Sequence, residues 1–426
     1  MRGIILALSG QRVLLALLGI CAVFSLLTIQ RTAPEGTAAG EQVARVFLSE
    51  KRPPMARVLV VSTNSAEDGQ FSVRVAELLG EQGILIDFAQ SPIQAREAAE
   101  GKSGPPISAV LATGSASSWP VLERFNLPVL APAPSLWPVF LQRSNLLNIA
   151  SQISVIAIIA AGMTLVIMTG GIDLSVGSIA ALAAVVCTRL VRDHFGGINA
   201  GAPGMIVSGF AAICVGGVVG WGSGAIITWC SVPPFLATMG VMLVASGLAF
   251  QVSEGQSVYQ VPDAFTWLGR ESVGGVPVVV ILTLVLYALA SHLIQSTVLG
   301  RYILATGSNP VAAYLAGVPV KRVQRIVYAT SGALAALGGV ILASQLKSGA
   351  PTYGQMYELY VIAAVVVGGT SLSGGQGSVW GTLVGALLIA VIQNGMNLLG
   401  MESYTQKIVL GLVLLAAVLA DRLRRS

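Results

Sequence analysis

Apolar runs of about twenty residues recur along most of the chain, and one long stretch interrupts them. The first run covers 13–29. Others lie near 146–169, 172–190, 205–228, 233–250, 277–295, 326–345, 359–372, 378–399 and 406–420. Several have the ~20-residue length that carries an α-helix across a bilayer. The interruption, 31–137, has a different rhythm. Short apolar runs at 56–62, 84–88, 107–111 and 127–130 read as strands, and 71–79, 94–100 and 117–125 between them read as helices. Such alternation predicts a parallel α/β unit of about four strands. The fold expectation is therefore an all-α polytopic membrane protein of about ten transmembrane helices in two related halves. A small α/β soluble domain is inserted after the first helix. The boundaries are 1–30 for the first helix, 31–137 for the insert and 138–426 for the membrane domain.

Composition sharpens this picture. Of 426 residues, 54% are hydrophobic and only 10% charged, against about 25% charged in soluble domains. A wholly soluble protein is excluded. Residues 31–137 hold 9 of the 24 Lys and Arg and 11 of the 19 Asp and Glu. The net +5 thus averages a mildly acidic insert and a basic remainder. It is no signal for nucleic acid, because the basic residues sit at the ends of apolar runs, where membrane topology puts them. Arg2 and Arg12 place the N-terminus in the cytoplasm, the even number of spans returns the C-terminus there, and the insert falls outside. Cys21, Cys187, Cys214 and Cys230 lie in apolar stretches, and His194 and His292 are isolated. No metal is expected. Glycine, at 49 residues, suits helices that approach closely.

Three segments carry candidate chemistry. In the first, Gly170 and Gly171 break an apolar run just before Asp173 and Ser175. Asp173 is the only formal charge between Arg143 and Arg189, and a carboxylate in such a span is costly. It reads either as a cap on the next helix or as a direct ligand of a transported solute. The second segment, with Gly368, Gly369, Thr370 and Ser371, echoes the first about 200 residues later. Two glycine stripes (Gly216, Gly220, Gly224 and Gly377, Gly381, Gly385) accompany the two joints and suggest an internal duplication. Broken helices in matching halves point to a translocation path. The plainer alternative is that small residues simply pack helices.

The third segment lies within 299–325. Asn309 suits a helix cap and Pro310 a first helical position. Ala312, Ala313 and Leu315 favour helix, and Gly317 and Pro319 end it. A short, apolar, poorly charged helix outside the membrane needs a partner. Several chemistries are missing. Gly101-Lys102-Ser103 lacks the upstream glycine of a phosphate-binding loop, since Arg96 stands there, and no HExxH, GxSxG or paired-carboxylate pattern occurs in the membrane part. The chain is not expected to be an enzyme or to bind a cofactor.

The run GMTLVIMTGGIDLSVGSIAAL is followed in order by GRYILATGSNPVAAYLAGV, YELYVIAAVVVGGTSLSGGQGSVWGTLVGALL and NGMNLLG. These resemble the ribose-type permease subunit of bacterial ABC sugar importers, over about 138–421 and the first helix. The resemblance implies a multi-pass protein of the bacterial inner membrane that moves a monosaccharide-type solute. It implies a homodimeric or heterodimeric permease in membrane lipid, with a homodimer expected. Cytoplasmic ABC ATPase subunits and an extracytoplasmic solute-binding protein complete the assembly. It also implies that 309–318 is the coupling helix docked on an ATPase. The chain departs from the family in having Tyr360 where an acidic residue often follows YEL, leaving Glu358 nearby. It has Val311 where Glu often precedes the Ala pair. The insert replaces a short loop; it is read as a docking or solute-handling module resembling half of a sugar-binding-protein lobe, or as a scaffold with no ligand. Thr63, Asn64 and Ser65, after its first strand, are candidate ligand contacts. The alternatives are a branched-chain amino-acid-type ABC permease and a membrane receptor sensing a ligand through 31–137.

Overall fold

The computed structural model describes residues 2–49, 57–101 and 105–423. Ala56, Lys102 and Ser103 lie outside the described residues. The chain divides into two compact units, Met1–Leu27 with Phe140–Ser426, and Thr28–Val139.

Helix α1 (Arg2–Leu27) opens the chain. The smaller unit follows as β1 (Ile29–Thr32), α2 (Gly36–Ser49), β2 (Arg57–Val61), α3 (Ala66–Gly80), β3 (Leu85–Ala89), α4 (Pro92–Glu100), β4 (Ile107–Ala112), α5 (Pro120–Glu123), β5 (Val129–Leu130) and β6 (Ser135–Pro138). Strands β3-β2-β4-β5 form one parallel sheet in that order. Alternation along β2 sends Val58 and Val60 to a core with Val43, Phe47, Phe71 and Val75. It sends Leu59 and Val61 to the opposite core, with Ala95, Val110 and Leu122. Both faces are covered, which is why these strands read as unbroken apolar runs. Ser65 and Ser91 start α3 and α4 by accepting from the N–H groups of Asp68 and Gln94 at 3.1 and 3.3 Å. A separate antiparallel ribbon pairs β1 with β6, from Ile29↔Pro138 to Thr32↔Ser135. It carries the unit slightly beyond 31–137, because strand pairing, not hydropathy, sets that edge. Neither the ribbon nor α2 was anticipated from the residue pattern.

The larger unit continues with α6 (Arg143–Met168), α7 (Val176–His194), α8 (Ala202–Trp229), α9 (Pro234–Ser253), α10 (Trp267–Arg270), a small hairpin of β7 (Ser272–Val273) and β8 (Val276–Pro277), and α11 (Val278–Ser296). Then come α12 (Val298–Ser308), α13 (Pro310–Leu315), α14 (Val320–Leu346), α15 (Tyr357–Val367), α16 (Val379–Leu398) and α17 (Ser403–Leu423). Among the described residues six helices are long and apolar enough to cross a membrane: α6, α8, α9, α11, α14 and α16. Helix α6 is enclosed by protein, whereas α8, α9 and α11 expose most of their apolar surface. That is the division expected where lipid, not water, is the outer solvent.

The glycine stripes bring backbones together. A Cβ on Gly216, Gly220 or Gly224 of α8 would strike Gly332, Tyr328 or Arg325 of α14. On α16, Gly381 and Gly385 press instead against Gly368 and Ala364, at the end of α15. The stripes therefore do not occupy matching places. Helix α16 directly follows its joint, while α8 is the second helix after its own.

Two elements depart from the apolar runs, α7 by starting later and α15 by being shorter. Helix α7 starts beside the middle of α14, with Asp173 against Ser331 and Ala180 against Gly339. Helix α15 has 11 residues. The stretch 347–356 before it is irregular and runs beside α7: Gly349 meets Ala184 and Thr188, and Gly354 meets Gly177. Lys347 and Met356 have φ of 53° and 67° at its ends. This elbow was not foreseen, since tyrosines and glycines next to an apolar run carry no signal of depth.

Candidate functional site

Both glycine joints end a helix in the same way. After α6, Gly170 adopts φ +80°, its N–H donates to Ile167 O at 2.9 Å, and Gly171 N–H donates to Val166 O at 3.1 Å. After α15, Gly369 adopts φ +89°, its N–H donates to Val366 O at 2.9 Å, and Thr370 N–H donates to Val365 O at 3.1 Å. Each is a Schellman turn, in which a left-handed residue lets two terminal carbonyls find donors. Glycine supplies the left-handed φ without a Cβ clash.

The first joint restarts on Asp173, which is 0% exposed. One carboxylate oxygen accepts from Ser175 N–H at 3.0 Å and from Ser175 Oγ at 2.5 Å. The other accepts from Ser331 Oγ of α14 at 3.0 Å. No ion pair involving Asp173 occurs among the described residues. The group thus caps the turn into α7 and ties it to α14. Beside it the Tyr328 hydroxyl is buried with no hydrogen-bond partner among the described residues and lies against Gly171, where a Cβ would overlap it. Neither Ser331 nor Tyr328 was singled out in the sequence. Their only signal is that a buried carboxylate needs donors from somewhere.

The second joint restarts on Ser378, whose Oγ accepts from Gly381 N–H at 3.0 Å. Thr370 and Ser371 are buried, and Ser371 Oγ and Ser373 Oγ share a hydrogen bond at 3.0 Å. The joints are also tied together. Gly375 N–H donates to Met168 O at 2.9 Å, and Thr164 Oγ1 of α6 bonds Thr382 Oγ1 of α16 at 2.8 Å. Glu358, at the start of α15, faces the start of α7, where Gly177 leaves room for it.

In the third segment Asn309 Oδ1 accepts from the N–H groups of Val311 and Ala312 at 3.1 and 3.0 Å. Pro310 takes the first helical position of α13. Gly317, with φ +85°, closes the helix as Val318 N–H donates to Ala313 O at 3.0 Å. Val311, Tyr314 and Leu315 are 67%, 70% and 80% exposed, whereas Ala313 is 5% exposed. Ala313 therefore faces its own protein rather than a partner, whereas the equally small Ala312 is exposed. Val311 and Tyr314 face outward beside Leu315. Pro310, Val311, Tyr314, Pro319, Val320, Lys321 and Arg322 line an open groove of about 500 Å³.

In the smaller unit two of the three candidate contacts, Thr63 and Ser65, are already used, and Asn64 is exposed. Thr63 donates to Asp68 Oδ2 through its N–H at 2.8 Å and through Oγ1 at 2.6 Å. Thr113 and Ser115 donate to the same oxygen at 3.0 and 2.9 Å. Burial alone would raise the Asp68 carboxyl; the donors from Thr63, Ser115 and Thr113 outweigh it and hold the group below its ordinary value. Among the described residues no three His, Cys, Asp or Glu side chains are placed to hold a metal ion.

The family model described as branched-chain amino acid transport system / permease component matches residues 145–418. The chain belongs to this permease family. The ribose import permease protein RbsC of Escherichia coli K12 is 43% identical over 299 residues, covering 69% of this chain and 91% of that one. The Bacillus subtilis protein of the same name is 40% identical over 312 residues, covering 71% and 92%. The D-allose transport system permease protein AlsC of E. coli is 35% identical over 284 residues, covering 67% and 85%. No solved structure matches. The permease is a multi-pass inner-membrane component of an ABC importer, a transport subunit rather than an enzyme. Both joints and α13 fall within the matched residues, and the smaller unit falls outside them.

Proposed function

We propose that this permease moves a ribose-class monosaccharide inward, driven by ATP hydrolysed on separate subunits that dock on α13. The observation that carries the docking is a rigid, doubly capped helix presenting Val311, Tyr314 and Leu315 outward, beside a groove rimmed by Lys321 and Arg322. Exposed apolar surface of this kind is a protein contact. A sugar is preferred to a branched-chain amino acid because the relatives covered over nine-tenths of their length are named for ribose. The receptor reading has no observation in its favour.

In this reading ten segments cross the bilayer: α1, α6, α7, α8, α9, α11, α14, α15 together with the 347–356 elbow, α16 and α17. Two copies form the dimer in lipid, and the chain carries no cofactor of its own. The Thr28–Val139 unit lies outside, where a solute-binding protein arrives, as a docking or solute-handling module. The joints at Gly170, Gly171, Asp173 and Ser175, and at Gly368, Gly369, Thr370 and Ser371, flex the path.

Leu315→Asp tests the docking. Leu315 is 80% exposed, so the permease should keep its thermal stability while ATPase subunits no longer co-purify and sugar uptake is lost. Normal assembly with normal uptake would sink the assignment. Ala313→Asp should instead unfold the corner, because it buries an unpaired charge. For the insert, Ile93→Cys, 71% exposed, should react with an impermeant thiol reagent in intact spheroplasts. Labelling only after lysis would place the unit inside.

A further inference from the structure

Three segments far apart in sequence meet at one point: the end of α6, the last turn of α12 and the turn at 373–375. Met168 O accepts the Gly375 N–H at 2.9 Å. Gly307 of α12 lies against both groups, and a methyl on it would overlap the Met168 carbonyl and the Gly375 nitrogen. Gly374, at φ +80°, would place a Cβ 2.8 Å from Gly170 N and 2.9 Å from Gly307 O. Gly375, at φ +76°, is packed on the backbone and Oγ of Ser308. At Gly307 and Gly374 backbone rests on backbone, with no side chain between.

Gly307 is two residues before Asn309, the cap of α13. Side chains absorb small displacements by changing rotamer; close-packed backbones pass them on. A shift of the α12–α13 corner must therefore carry Met168 and Gly375 with it, and these belong to the first and second joints. We infer that Gly307 is the positioning residue through which α13 moves both joints at once, an inference that rests on the docking reading of α13. Glycine is needed at 307 for the absent side chain, not for its backbone angles, because the residue is helical. A helix interior ordinarily prefers Ala to Gly, so any loss from Gly307→Ala comes from the contact.

The test uses the permease assembled with its ATPase subunits and binding protein in vesicles. Radiolabelled D-ribose is the first probe and D-allose the second. Gly307→Ala should retain the ATPase subunits and hydrolyse ATP, while sugar moved per ATP falls about tenfold or more. A merely structural defect would lower both rates together. Gly222→Ala on α8, where a Cβ meets nothing within 4 Å, should match wild type. Because Gly307→Ala could fail to assemble, hydrogen–deuterium exchange on the wild-type complex supplies a second arm. Adding ATP should change exchange at 305–317 and 368–377 together, including the Gly375 amide. A change at 305–317 alone, or a Gly307→Ala permease with wild-type coupling, overturns the inference. Leu315→Asp separates the two claims. If it leaves the ATPase attached, the docking reading fails and takes the inference with it. If it releases the ATPase while Gly307→Ala stays coupled, only the inference fails.

Discussion

The two glycine joints make the same turn and anchor it differently. Both close a helix through a left-handed glycine, Gly170 or Gly369, with the same pair of backbone hydrogen bonds. They part where the next helix begins. The first uses a fully enclosed carboxylate whose second oxygen reaches Ser331, 158 residues away on α14. The second uses hydroxyls of its own segment, Thr370, Ser371, Ser373 and Ser378, and leans on the first joint through the Gly375 N–H. A charge binds the first joint to a long helix; a backbone contact binds the second joint to the first. The difference teaches that an echo in sequence can preserve a turn without preserving what holds it.

The largest expected effect tests the backbone side of this contrast. Gly368→Ala would drive a methyl into the Gly381 carbonyl and Thr382 nitrogen and force α15 from α16. Overpacking of this kind should cost about 3 kcal/mol, read as a lowered melting temperature in detergent. Next comes the charge. Asp173→Ala leaves the Ser175 and Ser331 donors without their acceptor and should cost about 2 kcal/mol, with Asp173→Asn less than half as damaging because an acceptor remains. Thr370→Val removes only a 3.4 Å bond from Ser378 N–H and should cost under about 1 kcal/mol. Equal losses from Asp173→Ala and Thr370→Val would dissolve the contrast. Sugar uptake by Asp173→Asn separates cap from ligand: a cap predicts near-normal uptake, and lost uptake at unchanged stability would make Asp173 a contact of the solute.

Gly170→Ala falls between Asp173→Ala and Thr370→Val. The nearest atom to its Cβ would be Ser373 O at 3.9 Å, so only the left-handed backbone penalty of about 1 kcal/mol remains. The smallest effect lies in the insert, where Asp68 is likewise a carboxylate held by hydroxyls and an N–H. Its folded pKa is depressed, so its contribution is present above the unfolded value of about 3.9 and is lost as pH falls through the folded one. Limited proteolysis of the full-length permease should find the insert opening as pH drops below about 4. Asp68→Asn should open with less dependence on pH. An identical acid profile in both would show that Asp68 does not set it.

Sequence alone determined the elements whose cause is local. Apolar length marks membrane helices, because a bilayer demands about twenty residues. Strand–helix alternation marks the parallel sheet, because covered strands must be apolar on both faces. Asn309, Pro310 and Gly317 delimit α13, because capping acts between near neighbours. The glycine pairs flagged both joints for the same reason. Tertiary structure alone decided the rest. It chose Ser331 as the partner of Asp173 and turned Ala313 inward. It set α7 and α15 beginning partway along the bundle beside the 347–356 elbow, and it brought Gly307, Met168 and Gly375 to one point. Each of these is a contact between residues far apart in the chain, and a glycine that admits a neighbouring backbone looks, in one dimension, like any other glycine.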